Sequence, residues 1–249
     1  MKTRIPAIGL LLLSLPVALN AASWWETGKQ LLEGATDSKT ESATTAVNNL
    51  STEEIASGLK EALKVGTGNV VSQLGTTDGF LADEQIHIPL PAQIQQVRNL
   101  LEQVGMGAAL ADLETRLNRA AEAATPEAKS LFLDAISEMT IDDARNIYNG
   151  PEDAATQYFR EKMNGPLGEA MRPVIADSLS QVGAVQLYDQ IAGQYKTLPF
   201  VPDLKTDLTD YTVNKGMDGI FYYLAEEEAA IRQDPAKQTT ALLKKLFSH

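Results

Sequence analysis

The sequence predicts an all-α protein: one domain of about nine or ten helices over residues 51–249, behind a signal peptide and a flexible tether. Three observations carry this reading. Beyond Leu50, apolar residues recur at intervals of three and four, which places them on one face of a helix. Ser, Thr, Gly and Pro fall at the edges of those stripes, where helices start and stop. No stretch alternates apolar and polar residues as a half-buried strand does.

Lys2 and Arg4 precede an apolar run over residues 5–19 and then the small residues Ala21-Ala22-Ser23, the order of a secretory signal peptide. The run is about fifteen residues long and holds Pro6 and Pro16, whereas a bilayer span takes roughly twenty. Residues 1–23 therefore read as a cleavable leader, cut after Ala21 or after Ser23, and the chain as periplasmic or secreted. Extended through Trp24 and Trp25 and left uncleaved, the same run would be an N-terminal anchor. Residues 26–49 are rich in Thr, Ser, Ala and Gly and hold too few apolar groups to offset the entropy of ordering, so residues 24–50 read as a tether.

Ser51 with Glu54 forms a capping box ahead of Ile55, Leu59 and Leu63, which starts the first helix. Pro91 sits at the first turn of a second, carrying Ile94, Val97, Leu101 and Val104 and ended by Gly105. Leu110, Leu113, Leu117, Ala121 and Ala124 mark a third. Thr125-Pro126 starts a fourth, and Thr140 with Asp143 a fifth. Asn149-Gly150-Pro151 and Asn164-Gly165-Pro166 read as two stop-and-restart signals bounding a short helix with Tyr158 and Phe159. Residues 174–182 and 185–198 form a pair jointed at Gly183, and the last helices cover about 207–233 and 235–247. Only residues 85–90 look extended, and Pro89 makes them a poor central strand.

The chain carries a formal charge of -12, and loss of the leader with Lys2 and Arg4 leaves about -14. Nucleic acid and anionic membrane surfaces, which need clustered Lys and Arg, are poor partners for such a chain. Cysteine is absent, so there are no disulfides, thiolate ligands or lipidated cysteine. An exported chain of this size can rely on its core instead.

No residue pattern here specifies a reaction. His87 lies in the extended segment and His249 is terminal, no Gly-x-Ser-x-Gly elbow is present, and zinc or copper lacks ligands. Gly66-Thr67-Gly68 lacks the rest of a phosphate loop and reads as a helix kink or end. Two acidic groups are calcium candidates, Asp78 with Asp83 and Glu84, and Asp203, Asp207 and Asp210, although dipole compensation at a helix N-terminus explains the second. Glu227 and Glu228 flank the apolar stripe Val213, Met217, Ile220, Leu224 and Ile231, about 50° to either side of its centre. A carboxylate on such a border pairs with a cation or takes up a proton. The two glutamates are thus either ion-paired with arginines such as Arg98, Arg116, Arg119, Arg145, Arg160 or Arg172, or a general acid. Tyr222 and Tyr223 fall near the opposite face with Lys215 and read as exposed unless another helix covers them.

Six ordered blocks carry a resemblance: Gly58-Leu59-Lys60-Glu61-Ala62-Leu63, Ile88-Pro89-Leu90-Pro91, Asn118-Arg119-Ala120-Ala121-Glu122, Met139-Thr140-Ile141-Asp142-Asp143-Ala144, Ala154-Ala155-Thr156-Gln157-Tyr158-Phe159-Arg160 and Ala225-Glu226-Glu227-Glu228. Together, from about residue 51 to the end, the chain resembles the bacterial exported family known as domain of unknown function 4197. The resemblance implies a helix-rich envelope protein with a signal sequence and no particular reaction; some relatives resemble lipoproteins, from which this chain departs by lacking the cysteine. The expectation is a binding or interaction module with no cofactor, acting on an unknown protein or small molecule in the cell envelope. The alternatives are a hydrolase or lyase using Glu227 or Glu228, and a scaffold held by an uncleaved N-terminus.

Overall fold

Ser51 and Glu54 close the expected capping box, at 3.1 and 2.9 Å, and helix α1 (Thr52–Leu74) follows. The computed structural model describes residues 51–196, 207–234, 237, 238 and 244, within one compact unit, Val47–His249. The leader, the tether and nearly all of the helix expected over 235–247 lie outside the described residues. After α1 come α2 (Ala92–Gln103), α3 (Gly107–Ala124), a 3-10 turn (Thr125–Glu127), α4 (Ala128–Glu138), α5 (Ile141–Tyr148), α6 (Ala154–Gln181), α7 (Ala184–Lys196) and α8 (Leu208–Gln233). All regular structure among the described residues is helical, and no described helix is long and apolar enough to cross a membrane.

The turns fall largely where the residues ask for them. Gly105 and Gly183 take φ +87° and +68°, left-handed backbone that favours glycine, at the α2–α3 and α6–α7 joints. Thr140 and Asp143 form a second capping box at the start of α5. Thr125-Pro126 opens the short 3-10 turn, and α4 begins at Ala128.

Asn164-Gly165-Pro166 departs from expectation: α6 runs straight through it, and through Pro173. This is one reason the described helices number eight rather than nine or ten. An internal proline loses one hydrogen bond and crowds the preceding turn, at a cost of about 3 kcal/mol. On either side, however, Ala155, Phe159, Met163, Leu167, Met171, Ile175 and Leu179 are all buried. Each large side chain among them contributes roughly 1.5–3 kcal/mol, so continuity outweighs the break. Steps of four residues drift about 40° each, so this stripe winds around α6 and meets α3, α4 and α8 in turn. Gly66-Thr67-Gly68 likewise neither ends nor interrupts α1, which continues to Leu74.

Residues 75–91 contain no helix or strand, yet they are firmly held. Buried Asn118 of α3 accepts from the Ile88 amide and donates to the Ile88 carbonyl, both at 2.8 Å. Buried Glu122, one turn on, accepts from the Phe80 and Leu81 amides at 3.1 Å and pairs with Arg119, which also holds Asp78. The Phe80 ring presses against Gly219 of α8, where a Cβ would stand 2.6 Å from the ring. Tyr211 donates to the Pro89 carbonyl, and Tyr223 to the Asp83 carboxylate. The segment is therefore tied to both α3 and α8.

Candidate functional site

The site is built by the junction of α5 and α6. Glu228 of α8, 6% exposed, accepts from the Ala155 and Thr156 amides at 2.9 Å and from the Thr156 hydroxyl at 3.0 Å. Arg232, one turn along α8, pairs with Glu228 at 3.0 Å and donates to the carbonyls of Ile147 and Tyr148 at 2.8 and 3.3 Å. An anion thus meets the first amides of α6 and a cation the last carbonyls of α5, each at the helix end whose dipole it complements. The pair fixes the entry of α6, and with it Tyr158, one turn further on.

The Thr140–Asp143 box fixes α5 in the same way. Hydrogen bonds from the Thr140 hydroxyl and amide, aided by Lys162 and Lys60 and opposed by burial, hold the Asp143 carboxyl below the ordinary range. Between α4, α5 and α6 lie two cavities, of about 330 and 350 Å³, that share Asp143 and Tyr158. The first has an apolar wall of Leu131, Ala135, Met163 and Pro166 with Asp134, Glu138 and Lys162 at its edge; the second adds Gln157 and Glu161.

Tyr158 lies between them with its ring half-buried against Phe159, 5.7 Å between centroids. The Lys162 ammonium stands 5.9 Å from the Tyr158 ring centroid. Burial first, then Asp143, Glu138 and Glu161, raise the phenol's pKa, so its hydroxyl stays a proton donor. Among the described residues nothing receives that proton, and the carboxylates of Asp134, Glu138 and Glu161 have no hydrogen-bond or ion-pair partner. In this groove polar side chains without a described protein partner line an apolar floor.

Glu227 and Glu228 are placed elsewhere. Glu228 has Arg232 as its partner, outside the set of arginines expected from the sequence, and both its oxygens each accept two hydrogen bonds. Glu227 accepts from Asn69 at 2.8 Å and pairs with Lys237 at 2.9 Å. The cavities beside them measure about 10 and 20 Å³, room for one water at most.

Asp207 caps α8, accepting from the Thr209 and Asp210 amides, and Asp210 pairs with Arg172; Asp203 lies outside the described residues. Asp78 is held by Arg119, and Asp83 by Tyr223 and the Gln85 and Ile86 amides. No three His, Cys, Asp or Glu residues among those described stand where they could hold a metal ion. His87 bridges the Leu81 carbonyl at 2.9 Å and Glu114 at 2.7 Å. Tyr222 is exposed, while Tyr223 is covered by residues 75–91 rather than by another helix.

Sequence reasoning passed over Tyr158 as a site residue, although the signal was there: it stands one position off the stripe formed by Ala155, Phe159 and Met163. The groove it marks is assembled from three helices, and no local pattern encodes that. Against known proteins, the family described as Protein of unknown function (DUF4197) matches residues 49–248. The chain belongs to that family. No curated protein and no solved structure matches it.

Proposed function

We propose that this member of a family of unknown function is an exported binding protein whose ligand lies in the α4–α6 groove across Tyr158. The observation that carries the reading is the meeting of the two cavities at a half-buried tyrosine whose hydroxyl has no partner among the described residues. The groove offers a ligand this half-buried hydroxyl, an apolar floor and the exposed charges of Asp134, Glu138 and Lys162. Export rests on the leader read over residues 1–23.

The test is a thermal-shift screen of the wild-type chain and an Ala135→Trp variant against small envelope metabolites and glycan fragments. A ligand at a hundred times its Kd adds about 2.7 kcal/mol to the stability of the wild type, readily seen as a shift in Tm. The shift is expected to vanish in Ala135→Trp, whose indole fills the groove. A ligand that shifts both proteins equally binds elsewhere and removes the groove from the reading. Mass spectrometry of the chain from cells is expected to place its N-terminus at Ala22 or Trp24; an intact Met1 would favour the anchored scaffold.

A further inference from the structure

We propose that His87 is a pH-sensitive latch: its ring carries two protons and, as imidazolium, ties the non-helical segment over residues 75–91 to α3. Nδ1 stands 2.9 Å from the Leu81 carbonyl oxygen, and Nε2 2.7 Å from Oε1 of Glu114. A carbonyl and a carboxylate only accept. A neutral imidazole has a single N–H, so in either tautomer one ring lone pair would face an acceptor at hydrogen-bond distance. The imidazolium donates to both.

The surroundings favour the second proton on the ring. His87 and Glu114 are both largely covered, with side chains 30% and 20% exposed. Burial opposes any charge, yet here two opposite charges face each other, and two oxygens replace the water that the ring gives up. The alternative, a proton on Glu114, is opposed by Arg98 of α2, 3.7 Å from the second Glu114 oxygen. Arg98 does not displace the ring, because it lies further off and is bonded to Glu102 at 3.0 Å. From α8, Tyr211 donates to the Pro89 carbonyl; burial, then the Glu114 charge, raise its phenol, which stays neutral where histidine titrates. On the segment itself Asp83 is taken up by Tyr223 and the Gln85 and Ile86 amides, and Glu84 is exposed.

What the latch holds is local. The Nδ1 bond closes the turn from Leu81 to His87, and the Nε2 bond lays that turn on α3, between Phe80 on Glu122 and Ile88 on Asn118. Loss of one proton unmakes one of the two bonds and turns a lone pair on its oxygen. The latch is fully engaged below about pH 6.5, the ordinary histidine value, and is lost as pH rises past the point where the ring gives up its second proton.

The experiment reads the ring directly, by heteronuclear NMR of the His249→Gln chain, in which His87 is the one histidine left. At about pH 7 an ordinary imidazole is roughly three-quarters neutral, whereas His87 is expected to be more than half doubly protonated, its two ring nitrogens resonating close together. With Glu114→Gln added, the ring is expected to be neutral at that pH, its proton on Nδ1 and the new amide donating to Nε2. Between about pH 5.5 and 8.5 the folding equilibrium of the first chain should weaken at least about threefold more than that of the second, measured by chemical denaturation. A mostly neutral ring in the first chain at about pH 7 overturns the latch, whether or not the Glu114 variant folds. So does a ring that keeps both protons without the Glu114 charge, or a pH dependence equal in the two chains.

Discussion

Glu228 of α8, which holds the amides of residues 155 and 156, and Tyr158, less than a turn further along α6, show two ways of using a polar group. Glu228 is almost wholly buried, and every lone pair of its carboxylate that the geometry makes available is taken, by two amides, a hydroxyl and Arg232. Tyr158 is half-exposed, and its hydroxyl bonds to nothing described. The difference teaches where to look for function in a chain without a catalytic signature. The charged residues that stand out by their position on a helix are those the fold consumes, and the groups it leaves over lie one residue off the stripe.

The largest test of that contrast is Glu228→Leu. Two amides at the head of α6 and the Arg232 guanidinium would lose their partner, and loss of one member of a buried pair costs about 3–5 kcal/mol. Chemical denaturation should show this as a lower midpoint at unchanged slope. A variant as stable as wild type would mean that the junction does not need its anion.

Next in size is Asn118→Ala, which removes the two bonds to Ile88 without adding volume to the core. Leaving a buried amide and carbonyl unpaired should cost about 2 kcal/mol. The loss should appear as faster hydrogen exchange at Ile88 and its neighbours.

A smaller effect is expected from pH. Burial pushes the Asp83 carboxyl up, but the Tyr223 hydroxyl and the Gln85 and Ile86 amides outweigh it and hold the pKa below the usual value. Its contribution is therefore present above about pH 4 and lost as pH falls through the lowered value. The bond to Asp83, then burial, push the Tyr223 phenol up to about 12. That contribution is complete below about pH 10 and lost between 10 and 12. Tyr223→Phe should reduce the alkaline loss, to which the raised phenols of Tyr158 and Tyr211 also contribute, and blunt the acid one, measured as equilibrium stability across pH; an unchanged alkaline slope would place the titration elsewhere.

The smallest change in stability belongs to Tyr158→Phe, within about 0.5 kcal/mol, since its hydroxyl has no partner among the described residues. A clear loss of stability would show that the hydroxyl is engaged after all and would erase its contrast with Glu228.

Much of the fold was legible before any coordinates. The capping boxes at Ser51 and Thr140 and the left-handed glycines 105 and 183 are local signals, decided by atoms within one turn, and the helices begin and end there. Asn164-Gly165-Pro166 gave an equally clear local signal and was overruled, because burial of Leu167, Met171, Ile175 and Leu179 depends on partners distant in sequence. The site was less legible for the same reason. That Glu228 borders a core could be read from its helix, but that its donors come from residues 155 and 156 could not. The groove needs three helices at once, and the sequence offers only the misplacement of Tyr158 from its stripe.

Residues 84–86 form a turn and residues 87–91 follow without helix or strand; unpaired backbone of that kind is an edge along which separate chains can zip together. Here most of those amides are already engaged. The amides of Gln85 and Ile86 go to the Asp83 side chain, that of His87 to the Asp83 carbonyl and that of Ile88 to Asn118, while Pro89 and Pro91 have none to give. Asn118 acts as a neighbouring strand one residue long. One side chain thus takes the place of a sheet neighbour for a stretch whose Ile86, Ile88 and Leu90 side chains are buried in the core.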